Sequence, residues 1–369
     1  MDSSSQAQGP WRRTSAGPGW GLGILAWLFA RVPPRVAYVL VLPAICHWYT
    51  HFNQPRFAVA RAMGRLGCRW PLWTAFKAYA QYAFVLVDRF YVRQGRLRVA
   101  VEPEGRDLLA TAVEEPGPIV LLGGHCGALE MAMEALEDLG RPVHPVAVAD
   151  PGAGTLFQGV GDPTRGFGFG RQAIVADGSV ASGLRMLQVL RAGEALGFKA
   201  DRVLPGTAPA EGLEVDFAGA PALLPAGPLR IIGLGKARAV VVSAFRTGPA
   251  RFELLADAMD VTSKEPAVLG QHFADLLQDH IRRRPDQWFN FYPFWPEDEG
   301  PAASLPRTIP PWFRSVWPGA LALAATWLLL VSEPSLLDGV SGVARGLLGV
   351  LLGGSGLVVS WRRWRSRLL

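Results

Sequence analysis

The order of apolar and polar positions along the chain predicts its fold class. From Leu97 onward, short apolar runs alternate with amphipathic segments of helical period, which is the pattern of an α/β domain. We therefore predict a mixed sheet flanked by helices. The predicted strands are 97–102, 118–123, 142–149, 172–177, 195–202, 213–217, 229–235 (partly helical), 239–245 and 252–257. The predicted helices of this part are 131–139, 180–192 and 266–283.

The stretch 118–139 combines a strand, a tight turn and a helix. Residues 119–122 form a continuous apolar run that is typical of a strand buried on both faces, and two glycines then let the backbone turn. Apolar positions at helical spacing follow, and Gly140 ends the helix. His125 and Glu130 therefore fall at the strand-to-helix junction.

The amino-terminal part of the chain is predicted to be helical and membrane-associated. Residues 1–18 are rich in Ser, Gln, Gly and Pro, which predicts disorder. Two apolar runs at 20–30 and 36–48 are each shorter than the roughly 20 residues that cross a bilayer, so we predict interfacial helices, with one tilted span as the alternative. Helices are also predicted at 54–67 and 72–91. The aromatic residues of the second favour a place in the core or in the wall of an acyl channel over a cofactor-binding site.

The carboxy-terminal part is predicted to be a second membrane element. Two apolar runs, 316–331 and 340–360, flank an acidic turn, and the second ends in the basic sequence WRRWRSR. By the positive-inside rule, both ends of this helical hairpin face the cytoplasm; a re-entrant or interfacial hairpin is the alternative. The predicted boundaries are a tail at 1–18, membrane-associated helices at 19–60, the main α/β domain at 61–300, a Pro-rich linker at 301–315 and the hairpin at 316–369.

Composition agrees with membrane attachment. Hydrophobic residues make up 50% of the chain, a high share for a soluble protein, and the formal net charge is +6. A basic chain suits an anionic lipid surface or an acidic protein partner. Nucleic acid is the generic rival, but no zinc-ligand spacing or RNA-binding aromatic motif supports it, and we predict no nucleic-acid partner. Three cysteines without a C-x-x-C pair fit a reducing compartment.

His125 and Glu130 are the candidate catalytic pair. A carboxylate on one ring nitrogen of a histidine fixes its tautomer and lets the other nitrogen take a proton from a hydroxyl. Because no G-x-S-x-G motif is present, the simplest use is direct transfer of an activated acyl group, with backbone N–H groups around Cys126 and Gly127 receiving the oxyanion. The alternatives are a capping or surface His–Glu pair and a Cys126 nucleophile, although nothing else in the sequence requires a covalent step.

Further candidate residues lie at the end of a predicted strand. Lys199, Asp201 and Arg202 fall where open α/β sheets bind ligands. The two cations suit a phosphopantetheine phosphate or a polar acceptor, with Asp201 orienting one of them; a salt-bridged sheet edge is the alternative. Arg171 is a similar candidate at the end of the Gly-rich segment 150–170, which is long enough for a binding loop but lacks the layout of a dinucleotide site.

The last part of the α/β domain carries two histidines and an aromatic block. His272 and His280 share a face of the predicted helix 266–283, but a separation of about 12 Å is too long for one metal ion, so we predict a solvated face and no metal site. The block WFNFYPFW at 288–295 is typical of a core plug or of a lip that faces a membrane.

The block HCGALE at 125–130 resembles the H-x4-E signature of the bacterial lipid A late acyltransferases, a branch of the lysophospholipid acyltransferase superfamily. Similar blocks occur in the family's order at 182–202, 215–231, 237–254 and 284–295, and the resemblance covers residues 20–296. Leu129 stands where the family's lipid A members usually carry an aromatic residue, and WFNFYPFW resembles the acyltransferases associated with aryl polyene pigment lipids. These departures predict an acceptor that need not be lipid A.

The resemblance implies a glycerolipid acyltransferase-like fold in which His125 is the general base and Glu130 its partner. The predicted substrate-binding residues are Gly127, Arg171, Lys199, Asp201 and Arg202. The implied donor is a fatty or polyene acyl thioester on acyl carrier protein, the acceptor is a hydroxyl or amine of a membrane lipid or glycolipid, and no bound cofactor is needed. The implied location is the cytoplasmic side of the bacterial inner membrane. The alternatives are a lysophospholipid acyltransferase that uses acyl-CoA and a non-catalytic lipid-binding or scaffold protein of the same fold.

Overall fold

A computed structural model describes residues 26–51, 53–129, 141–147, 173–203 and 212–296. Contacts divide the chain into two compact units: among the described residues, one holds 27–51 and 53, and the other holds Ala26 and those from Gln54 onward. The predicted tail at 1–18, linker at 301–315 and hairpin at 316–369 lie outside the described residues.

The first unit is helical where it is described. It contains α1 (Pro34–Leu40) and α2 (Leu42–His51). Pro34 opens α1, where its missing N–H costs no hydrogen bond. Before these helices, the Arg31 guanidinium lies 4.0 Å from the centre of the Trp27 ring. Across the described part of the chain, no helix combines the length and the apolar character that a membrane span requires.

The second unit is an α/β domain whose helices flank one large sheet. Its helices are α3 (Asn53–Arg65, which starts at the unit boundary), α4 (Pro71–Arg93), α5 (Pro103–Glu114), α6 (Val180–Arg191), α7 (Ala226–Gly235) and α8 (Pro266–Arg283). Its strands are β1 (Ala100–Val101), β2 (Ile119–Gly123), β3 (Val143–Ala147), β4 (Ile174–Val175), β5 (Ala195–Lys199), β6 (Gly212–Phe217), β7 (Ala220–Pro225), β8 (Arg238–Gly248) and β9 (Arg251–Met259).

The large sheet has the order β1-β9-β8-β2-β5-β3-β4. Its neighbours are parallel except for the antiparallel pair β8 and β9, so the prediction of a mixed sheet is confirmed. Every residue of the central strand β2 is buried, because helices or loops cover both faces of a parallel sheet. The core around it joins apolar side chains of β2, β8 and α5, among them Leu121, Val240 and Leu109.

One predicted strand is a helix. Residues 229–235, predicted to be a partly helical strand, belong wholly to α7. A short apolar run has no clear period, so sequence alone does not separate a buried strand from a buried helix.

β6 and β7 lie outside the large sheet and pair with each other as a two-stranded hairpin. The turn between them consists of Ala218 and Gly219, which both have positive φ, as the tight hairpin turn requires.

The segment after α8 is hydrogen-bonded to β8, and β8 is in turn paired with α4. The Gln287 side chain accepts a hydrogen bond from the Arg246 backbone N–H (2.7 Å) and donates one to the Arg246 carbonyl (2.8 Å). The Arg246 side chain pairs with Asp88 of α4 at 2.7 Å, with both groups almost fully buried. Removing one partner of such a pair would leave a buried charge unpaired. These contacts fix the chain just before Trp288.

Candidate active site

Two neighbouring parallel strands bring His125 and Asp201 together. β2 and β5 pair in a register that sets Gly123 opposite Lys199, so their carboxyl ends stop side by side. His125 lies two residues beyond the end of β2, and Asp201 lies two residues beyond the end of β5. His125 Nδ1 is 2.6 Å from Asp201 Oδ1. The pair therefore sits at the edge of the sheet where α/β proteins bind ligands.

The Asp201 carboxylate is held by three hydrogen bonds. Its Oδ1 accepts a hydrogen bond from His125 Nδ1–H, and its Oδ2 accepts hydrogen bonds from the His125 backbone N–H at 2.8 Å and from Trp288 Nε1–H at 3.1 Å. The Asp201 side chain is 1% exposed, whereas the His125 side chain is 25% exposed. The acid is thus locked in place while the imidazole stays accessible. With Nδ1 carrying the proton, Nε2 keeps its lone pair and can act as a base.

Burial and nearby positive charge keep the imidazole neutral. Burial and the positive charge of Arg202 lower the pKa of His125 to about 4, against the opposing effect of Asp201. Burial alone would raise the pKa of Asp201, but the interaction with His125 and the positive charge of Arg202 hold it well below its usual range. At neutral pH the site therefore holds a neutral histidine and an ionised aspartate, which is the state that a general base requires.

Lys199 and Arg202 give the site its positive charge. Both act on the His125 imidazole through their charges. The Arg202 guanidinium also donates to the Phe289 carbonyl and lies 5.2 Å from the centre of the Tyr292 ring. Burial raises the pKa of the Tyr292 hydroxyl, which stays protonated. The predicted trio Lys199, Asp201 and Arg202 is thus brought to the candidate catalytic histidine, and Asp201 has a role at His125 that the sequence did not predict.

Gly127 has a structural role that the sequence did not predict. Its φ is +55°, and a Cβ there would lie 1.9 Å from the Ala244 carbonyl oxygen, so only glycine fits against β8. Its N–H donates to the Gln287 carbonyl at 2.8 Å, and the next amide, of Ala128, donates to the Ala244 carbonyl at 2.8 Å. The prediction that the Gly127 amide receives the oxyanion is therefore wrong, because that donor is already used.

Cys126 is unsuited to nucleophilic attack. Its side chain is buried beneath the site. Burial, together with the negative charge of Asp201, raises the pKa of the Cys126 thiol well above its ordinary value. A protonated, buried thiol is a poor nucleophile.

His280 is buried, so the prediction that it lies on a solvated face is wrong. Its Nε2 lies 2.6 Å from Asp257 Oδ2 and its Nδ1 lies 3.0 Å from Ser243 Oγ. Burial lowers the pKa of His280. These two polar partners explain how an imidazole on α8 can be buried. The hydroxyl belongs to β8 and the carboxylate to β9, so the helical periodicity of residues 266–283 could not reveal them.

Two predicted site residues, Glu130 and Arg171, lie outside the described residues. Within the described ranges, Asp201 occupies the position at His125 Nδ1 that the sequence assigned to Glu130. Within the same ranges, no group of three His, Cys, Asp or Glu side chains is placed to hold a metal ion. Trp288 was missed as a site residue, because an aromatic block predicts packing, although a buried indole N–H generally needs an acceptor.

The comparison with protein families decides the class. Residues 73–296, more than half of the chain, match the family described as bacterial lipid A biosynthesis acyltransferase. The chain belongs to this family. A comparison with curated proteins finds no match.

This acyltransferase carries its described site within the matched region. His125, Asp201 and Trp288 all lie inside residues 73–296: the first two follow β2 and β5, and Trp288 belongs to the aromatic block that ends the match. The prediction of a lipid A acyltransferase-like enzyme is confirmed. The geometry of the site shows that, among the described residues, the carboxylate in contact with His125 is that of Asp201.

The charge environment of this acyltransferase predicts an unusual pH profile. Since His125 must be neutral to accept a proton and its pKa is about 4, kcat/KM should stay level from pH 8 to about pH 5 and fall about tenfold per pH unit only below the pKa. Replacing Arg202 with Gln removes a positive charge, so the acidic limb should move to higher pH, toward the ordinary histidine value of about 6.5. The measurement is kcat/KM against pH for both proteins.

Arg191→Gln is the matched control for this profile. Arg191 is an exposed arginine in the last turn of α6. Its replacement removes the same charge without touching the site, and screening by solvent should leave the acidic limb unchanged. A wild-type acidic limb centred near pH 6.5 would contradict the lowered pKa of His125. A limb that moves to lower pH in Arg202→Gln would contradict the effect of the Arg202 charge on that pKa.

Proposed function

We propose that this acyltransferase moves a fatty or polyene acyl group from a thioester of acyl carrier protein to a hydroxyl or amine of a membrane lipid or glycolipid. The observation that carries the proposal is the contact between the accessible His125 imidazole and the buried Asp201 carboxylate. A histidine held in this way can activate an acceptor hydroxyl or amine directly.

The proposed reaction uses His125 as base and then as acid. Nε2 takes the proton of the acceptor as its oxygen or nitrogen bonds to the thioester carbonyl carbon. The resulting imidazolium is stabilised by the Asp201 carboxylate at 2.6 Å. When the carbon–sulfur bond breaks, the imidazolium returns the proton to the departing thiolate. The products are the acylated lipid and the free thiol of the donor.

The positive side chains at the end of β5 suit the negative charges of this reaction. Lys199 and Arg202 both act on the imidazole, so their charge also reaches the carbonyl that reacts beside it. We infer that they stabilise the oxyanion or hold the phosphate of the phosphopantetheine arm. This role takes the place of the Gly127 amide, which is used within the fold.

The proposed location is the cytoplasmic face of the bacterial inner membrane. Its support comes from the sequence: the apolar runs at 316–331 and 340–360, the basic end WRRWRSR and the overall excess of basic residues. A lipid acceptor is consistent with such a surface. The role of Glu130 as the partner of His125 stays a prediction from the family resemblance.

A direct test compares two donors with the purified full-length protein. Lipids extracted from cells that lack the protein serve as acceptors, and a labelled acyl group is offered on acyl carrier protein or on coenzyme A. We expect label to enter the lipid fraction with a kcat/KM at least about tenfold higher for the carrier protein, equivalent to about 1.4 kcal/mol. The basic protein should attract the acidic carrier, and this preference should shrink as salt is raised.

Each other outcome of this test has a definite meaning. A higher kcat/KM with coenzyme A would favour a lysophospholipid acyltransferase. An absence of transfer from both donors, with a folded protein, would favour a non-catalytic lipid-binding role. Mass spectrometry of the labelled product identifies the acceptor, which the proposal gives only as a class.

A further inference from the structure

Asn290 is a buried amide that the proposed mechanism does not use. The residue is 2% exposed, and neither Oδ1 nor Nδ2 has a hydrogen-bond partner among the described residues. Its backbone N–H donates a hydrogen bond to the Trp288 carbonyl at 3.0 Å, so among the described residues the backbone N–H has a partner and the side chain has none. A carboxamide buried without partners is rare in folded proteins because it loses its hydrogen bonds to water.

The position of Asn290 in the chain ties it to the active site. Two residues before it, Trp288 donates to Asp201. One residue before it, the Phe289 N–H donates to the His125 carbonyl at 2.8 Å and the Phe289 carbonyl accepts from Arg202. Two residues after it, the Tyr292 ring lies beside the Arg202 guanidinium. The residues on both sides of Asn290 in the chain thus contact His125, Asp201 and Arg202.

A neighbouring residue shows what a satisfied amide looks like in the same segment. Gln287 is 1% exposed, and both ends of its carboxamide bond to the backbone of Arg246. The segment can therefore pair a buried amide when the fold needs one. The unpaired state of Asn290 is a local property of that residue, which points to a ligand as its partner.

The chemistry of the side chain restricts that ligand. A carboxamide has a carbonyl oxygen that accepts and an NH2 group that donates, so it can bind an amide of a ligand by accepting from its N–H or by donating to its carbonyl. The acyl thioester donor of the proposed function carries such amides along its pantetheine arm, close to the reacting sulfur.

We propose that Asn290 binds a pantetheine amide of the acyl donor and so positions the thioester beside His125. This inference rests on the proposed function and extends it to a residue that positions the donor. Carrier protein and coenzyme A share the pantetheine arm, so the inference holds for either donor.

The test uses two small donors of the same shape with the purified full-length protein. One is an acyl thioester of N-acetylcysteamine, which keeps the pantetheine amide nearest the sulfur. The other is the thioester of 4-methylpentanethiol, a hydrocarbon of matching shape without an amide. Wild type should prefer the first by about tenfold or more in kcat/KM, because the second leaves the amide of Asn290 unpaired. Asn290→Leu should lose this preference by lowering kcat/KM for the amide donor alone.

Thermal unfolding separates this role from a structural one. Asn290→Leu replaces an unpaired amide with an apolar group of similar size, so its melting temperature should rise by about 2–4 °C. Gln287→Met is the matched control, and its melting temperature should fall because it breaks two buried hydrogen bonds. Asn290→Ala, which removes the amide without adding volume, repeats the donor comparison if leucine does not fit.

Two results would overturn the assignment of Asn290. One is a preference for the amide donor that survives in both Asn290 variants. The other is a fall in the melting temperature of Asn290→Leu like that of Gln287→Met, which would mean that the amide is already paired in the free protein. Failure of the proposed function has a separate signature, in which His125→Ala transfers acyl groups as fast as wild type.

Discussion

Replacing His125 with Ala should reduce acyl transfer about 100- to 10,000-fold, the usual contribution of a general base. The reason is that the described site offers one accessible imidazole, 25% exposed, beside a buried acid. The Asp201 carboxylate would keep the His125 backbone N–H and the Trp288 indole as donors, so the variant should still fold. The measurement is the initial rate of acyl transfer from acyl carrier protein, with the melting temperature recorded alongside.

His144→Ala is the matched control for this substitution. His144 also pairs with a carboxylate, that of Glu194, and is also partly exposed. It pairs with Leu196 near the start of β5, at the edge of the sheet opposite to the active site. We expect His144→Ala to keep most of the transfer activity. Undiminished turnover in His125→Ala would refute the role of His125 as base.

Replacing Asp201 with Asn should cost nearly as much activity as removing His125, again about 100- to 10,000-fold. An amide in place of the carboxylate does not stabilise the imidazolium, and its NH2 group favours the wrong tautomer by donating to Nδ1. Because the two residues act as a unit, the double variant His125→Ala with Asp201→Asn should be little worse than either single variant. The measurement is kcat for the four proteins of this cycle.

The comparison with Glu130→Gln distinguishes the two acids. The family signature assigns the orienting role to Glu130, whereas the described contact at Nδ1 belongs to Asp201. Glu194→Gln, which alters the carboxylate paired with His144, is the control and should leave kcat near the wild-type value. Near-normal kcat in Asp201→Asn with an inactive Glu130→Gln would return the orienting role to Glu130.

Local patterns of the chain were sufficient to predict much of the fold. The helix at 266–283 agrees with α8 residue for residue, and the apolar run 119–122 lies within the fully buried β2. Such elements depend on apolar period, prolines and glycines, which act over a few residues. Residues 229–235 show the limit, because an apolar run packed into the core carries too little periodicity to identify α7.

The candidate site was predicted in its parts and not in its connections. His125, Lys199, Asp201 and Arg202 were all predicted because each lies at or just after the carboxyl end of a strand, where parallel sheets present ligand-binding side chains. Trp288 and Asn290 were missed, since the aromatic density of their block predicts packing. Their roles depend on which polar atoms are buried and which are paired, and sequence does not specify either property.

The sequence by itself determined most of the elements, the family and the candidate histidine. The tertiary structure decided which acid contacts that histidine, because Asp201 and His125 are 76 residues apart and meet only through the register of β2 against β5. A partner five positions away is what local spacing suggests, whereas hydrogen bonding between strands sets contacts at any separation. A contact between distant segments also explains Gly127, whose N–H donates to the Gln287 carbonyl. This N–H therefore already has a partner within the fold and does not bind the oxyanion.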